Sequence, residues 1–113
     1  MDGESGPSRR SLERAVLKVD VERSETLTPG HYEAVNVSAG GICLRASAPE
    51  QVGGFVALKF PLFDSEISVY GEVIWCRPEA ERNGYKLGLR FVVIGQRERE
   101  TIERFVQENP EAE

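Results

Sequence analysis

From Arg14 onward the chain alternates apolar and polar residues: Leu17, Val19 and Val21 are separated by Lys18 and Asp20. Successive side chains of a strand point to opposite faces, so this period of two predicts a half-buried strand. Ser24–Gly30 supplies turn formers ending in Pro29-Gly30, and Tyr32–Val37 predicts a second strand. Ser38-Ala39-Gly40-Gly41 interrupts the run before Ile42 and Leu44 resume it, which predicts a hairpin around a loop whose glycines permit positive φ. After a loop at Pro49–Gly54, Val56, Leu58 and Phe60 alternate up to Pro61, where a fourth strand is expected to end. Ile67–Trp75 predicts a fifth. It puts Ile67, Val69, Gly71, Val73 and Trp75 on one face and Ser68, Tyr70, Glu72 and Ile74 on the other, with Gly71 marking a bulge or bend. Pro78–Gly84 is charged and closes on the turn dipeptide Asn83-Gly84, and Tyr85, Leu87, Leu89, Phe91 and Val93 form the most regular strand.

Beyond Gly95 the period changes. Ile102, Phe105 and Val106 stand at i, i+3 and i+4 among charged residues, the pattern of an amphipathic helix, and Asn109-Pro110 stops it. Six strands at short spacing and one helix define an all-β class: a small six-stranded antiparallel β-barrel with one C-terminal α-helix covering its open rim. The expected organisation is a flexible N-terminal tail (1–8) and a single domain (9–108), followed by a frayed tail (109–113). The domain comprises an arginine arm (9–14), the barrel (15–94) and the helix (96–108).

A length of 113 residues is enough for one core without staples. The net charge of −5 opposes general attraction to DNA, RNA or an anionic membrane, so any basic site must be local. Cys43 and Cys76 lack the close spacing of a zinc site and read as reduced core fillers. Apolar runs are too short to span a bilayer, so no membrane insertion is expected. Met1–Ser8 has no apolar signal core. The expectation is a cytoplasmic protein.

Catalytic chemistry is absent from the pattern: the single His31 sits at a turn, the acids fall on solvent-facing positions, and neither Gly40-Gly41 nor Gly53-Gly54 stands in a phosphate-loop context. A non-enzyme without cofactor or metal is expected. Two short constellations stand out instead. Arg9-Arg10-Ser11-Leu12-Glu13-Arg14 concentrates guanidinium groups before the first strand of an acidic chain, and Asn36-Val37-Ser38-Ala39-Gly40-Gly41 occupies the predicted hairpin. Read singly, the first is a solvated linker and the second a polar turn.

Read together, Arg10 and Arg14 form RxxxR, and Asn36, Ser38 and Gly41 form [D/N]xSxxG 22 residues beyond Arg14. This order resembles the PilZ domain family, bacterial receptors for the second messenger cyclic di-GMP (c-di-GMP). Gly71-Glu72-Val73-Ile74-Trp75 is similar to the family's GxVxW stretch and Leu87-Gly88-Leu89-Arg90-Phe91 to its GxxF strand. The resemblance runs from Arg9 to Val106.

It implies a c-di-GMP receptor in which Arg10 and Arg14 bind guanine and phosphate and Arg9 assists. Asn36, where the family often has aspartate, would meet the base edge. Ser38 would donate to phosphate or organise the loop, and Gly41 would allow close backbone approach. Trp75 and Gly40 are ligand-adjacent positions, Trp75 reading primarily as a core or rim residue. Arginine suits such a ligand because its planar fork bonds guanine O6 and N7, stacks on purines and grips phosphate. The expected mechanism is ordering of the Arg9–Arg14 arm on ligand binding, signalled to an unidentified protein effector in motility or surface behaviour. The alternative is a PilZ-like protein–protein adaptor that ignores the nucleotide.

Overall fold

The computed structural model describes residues 14–23 and 30–109. Arg9, Arg10, the tail at Met1–Ser8, most of the Ser24–Gly30 turn and Glu111–Glu113 lie outside them. Strand β1 (Arg14–Val16) and strand β2 (Asp20–Arg23) both pair antiparallel with β3 (Gly30–Ser38). They are one barrel strand interrupted at Leu17-Lys18-Val19, where an uninterrupted one was expected. The break lies opposite an irregularity in β3, and it keeps its backbone paired through Leu17 N–H to Val35 O (3.1 Å) and Ala34 N–H to Val19 O (3.0 Å).

The remaining strands are β4 (Gly41–Ala46), β5 (Phe55–Leu62), β6 (Ser65–Glu79) and β7 (Gly84–Val93). Pairing runs β3-β2-β5-β6-β7-β4 and returns from β4 to β3, closing a six-stranded antiparallel barrel. Closure removes the unpaired edges that an open sheet would expose. Two strands overrun their expected ends. Pro61 stands inside β5, opposite Glu66; β2 pairs with β5 only at Leu58 and Lys59, so beyond Lys59 that flank has no β2 partner needing a proline N–H. Strand β6 continues past Trp75 to Glu79, and a 3-10 turn (Ala80–Arg82) with left-handed Asn83 (φ 56°) leads into β7.

The interior is filled by Val21, Val37, Ile42, Leu44, Leu58, Phe60, Ile67, Val73 and Leu87, all essentially inaccessible. Helix α1 (Gln96–Glu108) adds Ile102 and Val106 to that core. Burying each such side chain stabilises by about 1.5–3 kcal/mol. At the β5–β6 turn the ring of Phe63 meets Phe105 edge-on at 5.7 Å, and the Arg104 guanidinium lies 4.2 Å above it. Phe63 makes this clamp from φ 55°, a region that a bulky residue rarely adopts.

The β4–β5 connection is tied to the barrel by one polar cluster. Tyr32 Oη donates to Glu50 Oε2 at 2.6 Å, and Arg23 Nη1 donates to the same oxygen at 2.6 Å and to Tyr32 Oη at 3.3 Å. Burial, reinforced by the bond to Glu50, pushes the Tyr32 phenol far above its usual range. Between pH 10 and that raised value the unfolded chain gives up a proton that the folded chain keeps, so stability falls as pH rises. Denaturant titrations above pH 10 should therefore show a shallower alkaline loss of stability for Tyr32→Phe than for the parent. At neutral pH the variant should cost about 1 kcal/mol.

Candidate functional site

Side-chain parity decides which residues reach the outer surface of a filled barrel. Strand β3 starts with Tyr32 and Ala34 facing inward, and Val37 faces inward again. That change of parity is produced by a register shift between Ala34 and Asn36: Ala34 pairs with Leu44 and Asn36 with Cys43, leaving Val35 as the extra residue. Bulges re-aim side chains in this way. Here the bulge turns Asn36 and Ser38 outward.

A second bulge does the same in β6. Val73 pairs with Leu89 and Trp75 with Gly88, so Ile74 is the extra residue. The alternation expected for this strand placed Trp75 on the core face with Val73; the bulge instead carries it to the outer face, and Cys76 takes the inward position against the core. The shift between Tyr70 and Gly71 puts its extra residue, Val92, on β7, so the bulge expected at Gly71 lies instead on the strand opposite it.

The registers then align two lateral rows on the outer face. One runs Arg14, Ser38, Gly41, Arg90, Glu72 and the other Val16, Asn36, Cys43, Gly88, Trp75. Arg14 Nη1 donates to Asn36 Oδ1 at 2.7 Å, joining the rows at their β1–β3 end. Between them lies a shallow depression of about 440 Å³ lined by Arg14, Asn36, Ser38, Gly40, Gly41, Cys43, Ile74, Trp75, Gly88, Leu89 and Arg90. A larger one of about 920 Å³ lies elsewhere, with Lys18, Asp20, Glu33, Arg45 and Arg82 on its walls and none of the motif residues. Chemistry, rather than size, selects the former. His31 lines neither, and among the described residues no group of acids, cysteines and histidine could hold a metal ion.

Ser38 is buried and its hydroxyl is consumed by the hairpin: Oγ accepts from Gly40 N–H and Gly41 N–H, both at 3.2 Å. It organises the loop, the second of the two roles foreseen for it. Gly41 does not use a left-handed φ; among the described glycines only Gly53 does. A Cβ at Gly41 would lie 2.2 Å from the carbonyl oxygen of Leu89, so its hydrogen is what lets β4 and β7 close. Gly88 has a corresponding reason, since a Cβ there would lie 2.2 Å from the Trp75 indole nitrogen. The indole lies across Gly88, with Arg77 stacked 4.5 Å from its ring centroid.

Cys43 forms the floor between Asn36 and Gly88. It is buried, yet it faces outward and is not part of the interior core as expected. Burial raises its thiol above the usual range despite nearby Lys86 and Arg14, which makes it a poor nucleophile. Arg90 and Gly88 are site residues the sequence reading did not single out. Their signal was present in the Leu87–Phe91 stretch, where every second residue faces out.

This surface combines a flat cation, an amide, polar backbone at a tight turn and an aromatic ring, a set suited to a planar, anionic ligand. A family model described as the PilZ domain matches residues 8–108, and the chain belongs to that family. No curated protein matches it by sequence. Among solved structures, the Bacillus subtilis inhibitor of motility MotI/DgrA superposes with a TM-score of 0.79 at 19% identity, over 89% of this chain and 51% of that one. The chain thus spans about half the length of MotI. The PilZ domain of Escherichia coli YcgR, solved with c-di-GMP, superposes with a TM-score of 0.68 at 11% identity, covering 90% and 91% of the two chains. The PilZ domain of CeSA from a cellulose-synthesising bacterium gives 0.60 at 18% identity, over 84% of this chain and 95% of that one. At these identities the likeness shows the fold.

Trp75 is the one tryptophan of the chain, so its fluorescence reports this site alone. Gly88→Ala should lift the indole off the sheet, red-shifting its emission, with a stability loss of about 1–3 kcal/mol. Gly41→Ala, which collides with backbone rather than with a side chain, should cost at least as much in thermal unfolding while leaving the emission wavelength nearer to that of the parent.

Proposed function

We propose that the protein is a non-enzymatic receptor for c-di-GMP. The observation that supports this most directly is the Arg14–Asn36 hydrogen bond: the last residue of RxxxR and the first of [D/N]xSxxG, 22 residues apart, meet beside a turn held by Ser38. In this reading Arg14 and Arg10 take guanine and phosphate, Arg9 assists, Asn36 meets the base edge and Trp75 supplies an aromatic wall. Ser38 and Gly41 keep the backbone in place, with Gly40 at the rim.

Arg9 and Arg10 stand only a few residues before Arg14, the first residue of β1, so a ligand seated against Arg14 is within their reach. Closing the arm over the ligand would change the surface offered to a protein effector, and the likeness to an inhibitor of motility makes motility the first pathway to examine. Among the described residues no helix is long and apolar enough to cross a membrane.

Isothermal titration with c-di-GMP, with GTP and cyclic di-AMP as controls, tests the receptor reading. Saturable, selective binding accompanied by a change in Trp75 emission is expected. Arg10→Ala or Arg14→Ala should weaken it by about 2–4 kcal/mol. Hydrogen exchange should slow across residues 9–14 when ligand is added. No heat and no change in melting temperature at saturating ligand would leave the nucleotide-independent adaptor in its place.

A further inference from the structure

We propose that Arg90 is a second anchor for the anionic ligand and that Glu72 is its internal counter-ion, displaced when the ligand binds. The inference rests on the nucleotide-receptor reading and assigns a role to residues outside both motifs. Arg90 occupies the same cross-strand row as Arg14, with Ser38 and Gly41 between them. Three interstrand steps separate the two arginines, about 14 Å along the sheet. They therefore hold opposite ends of whatever lies in the row. Gly41 and Gly88, on either side of the approach, present no side chain to block it.

Arg90 Nη2 donates to Glu72 Oε1 at 2.5 Å, and the pair sits at the open margin of the depression with the arginine side chain 61% exposed. An exposed ion pair is weak because water and salt screen it, whereas hydrogen bonds to a charged group that the ligand shelters are several times stronger. The exchange of a carboxylate for a phosphodiester oxygen is thus downhill. In the absence of ligand Glu72 holds the guanidinium and neutralises it, which lowers the affinity for anions that cannot also satisfy Arg14. Glu72 is in this sense a selectivity element: a ligand gripping both ends displaces it, and a small anion does not.

Titration of c-di-GMP into the full chain carrying Arg90→Ala, Arg90→Lys, Glu72→Gln and the Glu72→Gln/Arg90→Ala pair tests this, with Glu66→Gln as a control for net charge. Arg90→Ala should raise Kd about tenfold or more. Arg90→Lys should recover part of that loss. Glu72→Gln should lower Kd severalfold and strengthen inorganic pyrophosphate binding, and it should do neither once Arg90 is alanine. Thermal unfolding confirms that each variant is folded. Binding that is lost in Arg14→Ala but unchanged in Arg90→Ala and Glu72→Gln would overturn the inference and leave the receptor reading intact. A gain from Glu72→Gln that persists without Arg90, or is matched by Glu66→Gln, would reduce Glu72 to bulk charge and also overturn it. Ligand binding by Glu72→Gln alone, with a silent parent, would support the counter-ion role; silence from both would end the inference and the receptor reading together.

Discussion

A strand sends alternate side chains to opposite faces, and a barrel with a filled interior fixes which face is which. Val37, Ile42, Leu44, Val73, Leu87 and Leu89 must all point inward. Without an extra residue in β3, Asn36 would share a face with Ala34 and enter the core; without one in β6, Trp75 would follow Val73 there. Slipping either register by one residue would send the whole apolar set outward instead. The bulges at Val35 and Ile74 resolve this conflict locally, and the outer surface of the barrel follows from them.

That dependence explains what could be read from the amino acids and what could not. The alternation in Tyr85–Val93 and the helical spacing of Ile102, Phe105 and Val106 carry their burial openly, so barrel and helix were legible. Closure was expected from the number of strands and from the cost of open edges, whereas the order in which the strands pair came only with the structure. Bulges are different: an inserted residue leaves the local pattern of apolar and polar letters almost unchanged, and its effect appears only against a partner strand. Trp75 was consequently read as a core or rim residue and Cys43 as a core filler, although both lie on the outer face. Gly71 drew attention to β6, but the extra residue there is Val92 of the facing strand, and Val35, Ile74 and Val92 are all ordinary strand residues that announced nothing.

The motif residues were legible for another reason. Asn36, Ser38 and Gly41 are expensive choices for a strand end unless a turn or a ligand uses them, and arginines clustered in an acidic chain call for a local explanation. Yet their roles are not equal. Ser38 and Gly41 are occupied by the fold itself, one closing the hairpin and the other admitting the Leu89 carbonyl. Asn36 and Arg14 turn toward each other and toward the depression. A motif that reads as one string is thus divided between residues that shape the surface and residues that present chemistry on it.

The same division holds across the barrel, where Gly88 shapes and Trp75 presents. A chain of net charge −5 keeps this face cationic by placement rather than by number: Arg14, Arg77 and Arg90 project from three different strands onto it, and among the described residues in its two rows Glu72 is the only acid. Long-range attraction of anions to such a protein is weak, because the field of the whole molecule opposes it. Affinity must then come from contacts made at short range and all together, by groups already fixed in position. Two bulges and two close glycine approaches supply that fixity, since each ties an outward side chain to the packing of the interior behind it.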